Sequence, residues 1–209
     1  MPCGWLERKF LLVFPLVCGL ACQGIAGNRE YKDDQQGFQL TYPKKLILEG
    51  TKSKVRLFHS IRWRHPNPCA FSDDDVPDID LLTDFILDLE VVSGPLGRVV
   101  GDLLSYDPHI EYAGDLPKER GEGWFEDFQV RSLKGYLVQQ GVEGCGAWKY
   151  LFPLKDGRIL IVTRGMITEL SGISGLKNDA LKVPGVITPE EEERMFREIL
   201  ASFKLMAKR

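Results

Sequence analysis

Residues 147–164, AWKYLFPLKDGRILIVTR, constrain the fold more than any other stretch of the chain. Trp148, Tyr150 and Phe152 alternate with Ala147, Lys149 and Leu151, the period of two that belongs to a strand. Asp156-Gly157 then supplies residues suited to the positive-φ positions of a tight hairpin turn. The return run from Ile159 to Thr163 is β-branched and apolar on both faces, which makes it a central strand.

Other stretches carry the same alternation. In GFQLTYP, Phe38, Leu40 and Tyr42 share a face, and Pro43 stops the strand. KVRLFHSIRW places Val55, Leu57, His59, Ile61 and Trp63 on one face, with Arg56, Phe58, Ser60 and Arg62 on the other. DFILDLEVV sets Phe85, Leu87, Leu89 and Val91 together, and WFEDFQVRSL and GYLVQQG read as further strands. The period changes in SGPLGRVVGDLLSY. There Leu96, Val99, Val100, Leu103 and Leu104 form the stripe of an amphipathic helix, with Ser93 and Pro95 as start signals. A second helix is written near the C-terminus, with Thr188 as N-cap, Pro189 as first residue and Glu191 completing a capping box. Met195, Phe196, Ile199, Leu200 and Phe203 make its buried stripe. Short turns between consecutive strands imply an antiparallel sheet, and amphipathic helices need a sheet face to cover. The expected class is α+β, a twisted antiparallel β-sheet covered by amphipathic helices.

The N-terminus bears on the compartment. Arg8 and Lys9 precede the apolar run FLLVFPLVCGLA, and small residues follow, the order of a secretory signal. The run has about a dozen residues against the ~20 that span hydrocarbon, and Pro15 interrupts it. Residues 1–22 are expected to be a signal peptide, 23–36 a flexible polar tether and 37–209 a single domain. GLAC, residues 19–22, resembles a bacterial lipobox, which makes Cys22 a lipidation site; ordinary cleavage after Ala26 is the alternative. A net charge of −3 gives no electrostatic case for binding nucleic acid.

Taken together, GFQLTYPKK, GYLVQQG, WKYLFPLKDGRILIVTR and a last helix running into ILASFKL resemble the PsbP-like family. Those are exported or thylakoid-lumen α/β/α-sandwich proteins, and in bacteria the style is that of uncharacterised lipoproteins. The resemblance spans roughly residues 37–205 and carries no catalytic signature. It implies a PsbP-like α/β/α sandwich and an accessory or assembly role.

Two cysteines, Cys69 and Cys145, remain as an even pair once the leader and Cys22 are set aside, both in turn-rich surroundings. In an oxidising compartment they are expected to form a disulfide closing a loop of about 75 residues, worth roughly 2–4 kcal/mol; two separate buried thiols are the alternative. A thiol nucleophile at Cys145 needs a base from His59, His65 or His109, and no flanking signature marks it. His59, His65 and Cys69 are spaced more loosely than structural zinc ligands. The acidic run SDDDVPDID holds Asp73, Asp75, Asp78 and Asp80 as weak calcium candidates, although Pro77 and Asp78 break the EF-hand pattern. No GxSxG, P-loop or strand-linked GxGxxG is present. The sequence therefore names no catalytic residue, no firm metal site and no cofactor. The expectation is an exported, lipid-anchored, non-enzymatic protein of the bacterial cell envelope, facing the periplasm or secreted. Its partners are the membrane, through the lipid, and an envelope protein or small ligand that it serves as an accessory, assembly or binding module. A periplasmic or secreted hydrolase-like enzyme is the alternative.

Overall fold

The computed structural model describes residues 27–51, 53–66, 78–104, 116, 125–141, 146–165 and 179–206. Along them run β1 (Asn28–Asp33), β2 (Phe38–Pro43), β3 (Ile47–Gly50), β4 (Lys54–His65), β5 (Ile79–Ser93) and α1 (Leu96–Leu104). There follow β6 (Phe125–Val130), β7 (Leu133–Gln140), β8 (Ala147–Pro153), β9 (Arg158–Gly165), α2 (Pro189–Ser202) and β10 (Lys204–Leu205). The large sheet has seven strands in the order β3-β4-β5-β9-β8-β7-β6; the small one has three, β1-β2-β10. The pairings are antiparallel, as the short turns require. The fold is α+β.

β9 lies at the middle of the large sheet and is buried on both faces, as its uninterrupted apolar run demands. Leu160 and Val162 point into one core with Phe38, Leu40, Phe85, Phe152 and the α2 stripe. Ile159 and Ile161 point into another, with Leu151, Phe125, Val138 and the α1 residues Val100 and Leu104. α1 therefore covers one face, while α2 and the small sheet cover the other. Of the two residues at the β8–β9 turn, Gly157 alone takes a positive φ, +80°, and the turn is closed by the Leu154 N–H bonding to the Arg158 carbonyl at 2.7 Å.

The structure corrects three expectations. The tether over 23–36 is displaced by β1, which is largely exposed yet pairs residue for residue with β2. Its hairpin is held by the Asp33 carboxylate, whose Oδ1 accepts the N–H groups of Gln35 and Gln36 at 2.9 and 2.7 Å, and by Tyr31 packed on Phe38. The acidic loop ends sooner than its composition suggests, because Ile79 and Asp80 already belong to β5. Instead of one sheet there are two, since β2 joins β1 and β10 over the α2 side rather than extending the large sheet. Residues 1–22 lie outside the described residues.

The large sheet is asymmetric end to end. At one end the connections are short, over 51–53, 94–95, 131–132 and 154–157. At the other, the connections over 66–78, 105–124, 141–146 and 166–188 all leave. The registers fix this, because His65 pairs with Ile79, Gln140 with Ala147, and Ala147 with Gly165.

Candidate functional site

The long-connection end carries a buried polar cluster on its α2 side. In β9 the inward phase runs Leu160, Val162 and then Arg164. On α2, Glu192 precedes Met195 and Phe196 by three and four residues and so faces the sheet with them. Arg164 Nε donates to Glu192 Oε1 at 2.8 Å, its Nη2 donates to Oε2, and its Nη1 lies 2.6 Å from Glu193 Oε2. The Arg164 and Glu192 side chains are 9% and 4% exposed, so the bidentate pair is out of water. The guanidinium also sits 4.5 Å from the centre of the Phe196 ring and 5.3 Å from that of Trp148. Burial alone would lower the Arg164 pKa, but the bonds to Glu192 outweigh it and hold the group cationic. Burial raises the Tyr150 phenol, partly against the pull of Arg164.

A bulge supplies the second part of the cluster. His59 faces Phe85 while the next residue, Ser60, faces Thr83, which leaves Asp84 as the extra residue of β5. The bulge turns the buried Asp84 carboxylate to the α2 side. There Oδ2 accepts the Ile187 N–H at 2.7 Å, and Oδ1 lies 2.6 Å from His59 Nδ1. Ile187 directly precedes the Thr188 N-cap, whose hydroxyl accepts the Glu191 N–H. The Glu191 carboxylate is engaged by Lys45 of the β2–β3 turn. Asp84 and Arg164 thus fasten the start of α2 to two neighbouring strands.

This electrostatic arrangement gives a pH dependence with a definite sign. For Glu193, burial pushes the carboxyl up, but Arg164 and Arg197 together hold it below the usual carboxylate range. On the opposite face, burial likewise raises Asp88, and Arg56 and Lys54 bring it below that range. A carboxyl depressed in the folded state contributes stability above its unfolded pKa of about 4 and loses it as pH falls through the folded value. Denaturation midpoints are therefore expected to hold near neutrality and fall below about pH 4. Glu193→Gln should make that fall shallower, and an unchanged acid limb would contradict the assignment.

Most residues singled out from the sequence fall elsewhere. Cys22, Cys69, Cys145, Asp73, Asp75 and His109 lie outside the described residues. Asp78 and Asp80 stand at the start of β5, where Arg64 Nε lies 3.0 Å from Asp78 and 4.0 Å from Asp80, so both face a cation already. His59 and His65 lie six residues apart on β4, roughly 20 Å at strand rise, too far to share one zinc ion. His65 Nδ1 lies 2.8 Å from the Pro66 carbonyl oxygen and donates to it, and its ring stacks on Trp63 with centroids 5.1 Å apart. Its Nε2 is buried without a hydrogen-bond partner among the described residues. Among the described residues no three potential ligands gather as a metal site. Among the described residues two open depressions stand out, one of about 600 Å³ lined by Arg62, Trp63, Arg64, Asp80 and Leu81 at the long-connection end. The other, of about 330 Å³, lies over the β6–β7 hairpin beside Asp127, Lys134 and Tyr136.

No family model matches the chain, and no curated protein matches it. Eight chains of solved structures are similar to it, two of them as follows. One is a crystal structure from Bacteroides thetaiotaomicron VPI-5482, at 8% identity over 87% of this chain and 49% of that one, with a TM-score of 0.42. The chain thus spans about half the length of that protein. The other is the solution structure of cyanobacterial PsbP (CyanoP) from Synechocystis sp. PCC 6803, at 12% identity over 90% of this chain and 98% of that one, with a TM-score of 0.36. Likenesses at these TM-scores carry no weight for function, and the α+β class rests on the strand order and the two covered faces.

Proposed function

We propose that the chain is an exported accessory or binding protein of the cell envelope, PsbP-like in style, anchored through Cys22 and meeting its partner with the long-connection end of the large sheet. One observation carries this reading. The Lys44 N–H bonds to the Gly27 carbonyl at 2.9 Å, and the adjacent Lys45 pairs with Glu191 in the first turn of α2. Gly27 therefore stands near the start of α2, at the end where β4, β7 and β9 finish. Cys22 precedes Gly27 by five residues, at most roughly 18 Å of extended chain. An anchor there keeps that end close to the membrane, and loops set on a rigid sheet are the usual carriers of recognition. Leu81, 48% exposed and lining the depression with Arg62, Trp63, Arg64 and Asp80, offers an apolar contact within a rim of both charges.

Growth with labelled palmitate, followed by fractionation of wild type and Cys22→Ser, tests the anchor. Label and membrane association are expected in the wild type and absent from the variant. Recovery of the full-length product in the cytosol, beginning at Met1 with Cys69 and Cys145 as free thiols, would overturn the proposal.

A further inference from the structure

The small sheet ends in β1, and no described residue pairs with its outer edge. Natural edge strands usually carry charged residues, lysine above all, or other devices that prevent pairing. In β1 the charges follow another rule: Arg29, Glu30, Tyr31, Lys32, Asp33 read plus, minus, aromatic, plus, minus. The series is antisymmetric about Tyr31. We propose that β1 pairs with β1 of a second copy, antiparallel about a two-fold axis at Tyr31, joining two small sheets into one. The proposal is independent of the anchor at Cys22.

Backbone parity selects this register. The bond from the Lys44 N–H to the Gly27 carbonyl continues the β1–β2 ladder, whose pairs run Asn28 with Pro43 to Asp33 with Phe38. Because hydrogen-bonded pairs alternate in an antiparallel ladder, Arg29, Tyr31 and Asp33 turn their backbone groups to β2. Asn28, Glu30 and Lys32 turn theirs outward to the free edge. About an axis at Tyr31, Glu30 meets Lys32 of the second copy and Lys32 meets its Glu30. Both residues of each pair present outward N–H and C=O groups, so the two pairs exchange four backbone hydrogen bonds. The same pairs set opposite charges face to face.

Neighbouring registers fail. An axis between Glu30 and Tyr31 opposes an outward residue to an inward one. An axis at Glu30 sets two glutamates opposite each other. One at Lys32 opposes two lysines and sets Glu30 against Asp34. Side-chain placement agrees with the chosen register. Glu30 and Lys32 are exposed, whereas Tyr31 leans into the fold against Phe38 and donates to Asp33 at 3.1 Å. Lys32 now lies 2.6 Å from Asp34, but those side chains are 50% and 77% exposed. A solvent-screened pair of that kind is readily exchanged for Glu30 of a second copy. Closed two-fold pairing also uses up the edge, so no open-ended stack follows.

Sedimentation equilibrium of the full chain in mild detergent, across roughly 1–200 μM, tests the proposal on wild type, Glu30→Lys, Lys32→Glu and the double swap. Wild type is expected to dimerise, each single swap to weaken the dimer at least about tenfold, and the double swap to restore it. The two single swaps change net charge in opposite directions, so a general charge effect would move them apart, not together. Both positions are exposed, and circular dichroism of each variant checks that the fold is kept. A monomeric wild type throughout the range would overturn the proposal. So would a dimer indifferent to the single swaps, or one that the double swap leaves broken.

Discussion

Glu192→Ala is expected to destabilise the protein by about 3–5 kcal/mol, the range for removing one partner of a buried ion pair. The cost comes less from the lost attraction than from what stays behind. Arg164 would keep its charge inside the fold, with Glu193, 38% exposed, and the rings of Phe196 and Trp148 as its remaining company. Arg164→Ala leaves the reverse problem, a Glu192 side chain only 4% exposed with no cation against it. Replacing both by alanine leaves neither charge stranded in the fold beside Phe196. The double variant should therefore lie well above the sum of the two single losses, with a coupling between about 0.5 and 3 kcal/mol in urea denaturation. Strict additivity would mean that the two groups do not depend on each other, and the clamp at the start of α2 would fall with it.

How much of this was legible before the fold is known depends on how local each signal is. The hairpin at Asp156-Gly157 and the stripe of α2 repeat within one strand or one helix, so their periods show directly. Arg164 and Glu192 were legible in principle. Each is a charged residue standing in the inward phase of its own element, with Leu160 and Val162 in one case and Met195 and Phe196 in the other. No motif spacing marks them, because the pair joins residues 28 positions apart on two different elements. Asp84 was not legible, because a bulge is a relation between two strands and the phase of β5 alone does not show it. β1 was hidden for a similar reason. Its residues are polar, and what orders them is pairing with β2, the Asp33 turn and Tyr31 lying on Phe38. Composition signals burial, and β1 is held with little of it.

Gly135→Ala is the second large loss expected, about 3 kcal/mol, at the upper end of the cost of overfilling a packed site. Gly135 lies in β7 opposite Phe128 of β6, and the pairing of β7 with β8 starts at the next residue, Tyr136 with Leu151. A Cβ at 135 would overlap the Leu151 carbonyl oxygen and stand 2.9 Å from its carbon and 3.0 Å from the Phe152 ring. Two of those atoms are backbone, so no rotamer change relieves them, and β8 itself would have to move. β8 pairs next with β9, the strand buried on both faces, so the shift would reach the centre of the sheet. Phe128, opposite Gly135 in register, lies 4.6 Å from the Tyr150 ring and 6.1 Å from that of Phe152, so the aromatic packing runs from β6 to β8. Gly50→Ala is the matched control. It too lies in a strand, and the nearest atom to its would-be Cβ is a carbonyl oxygen at 3.9 Å, an ordinary contact. Thermal unfolding should leave Gly50→Ala within about 0.5 kcal/mol of wild type and place Gly135→Ala far below it. Equal midpoints for the two would show that β8 yields without cost, and the close approach of its backbone to β7 would then explain nothing about why glycine stands there.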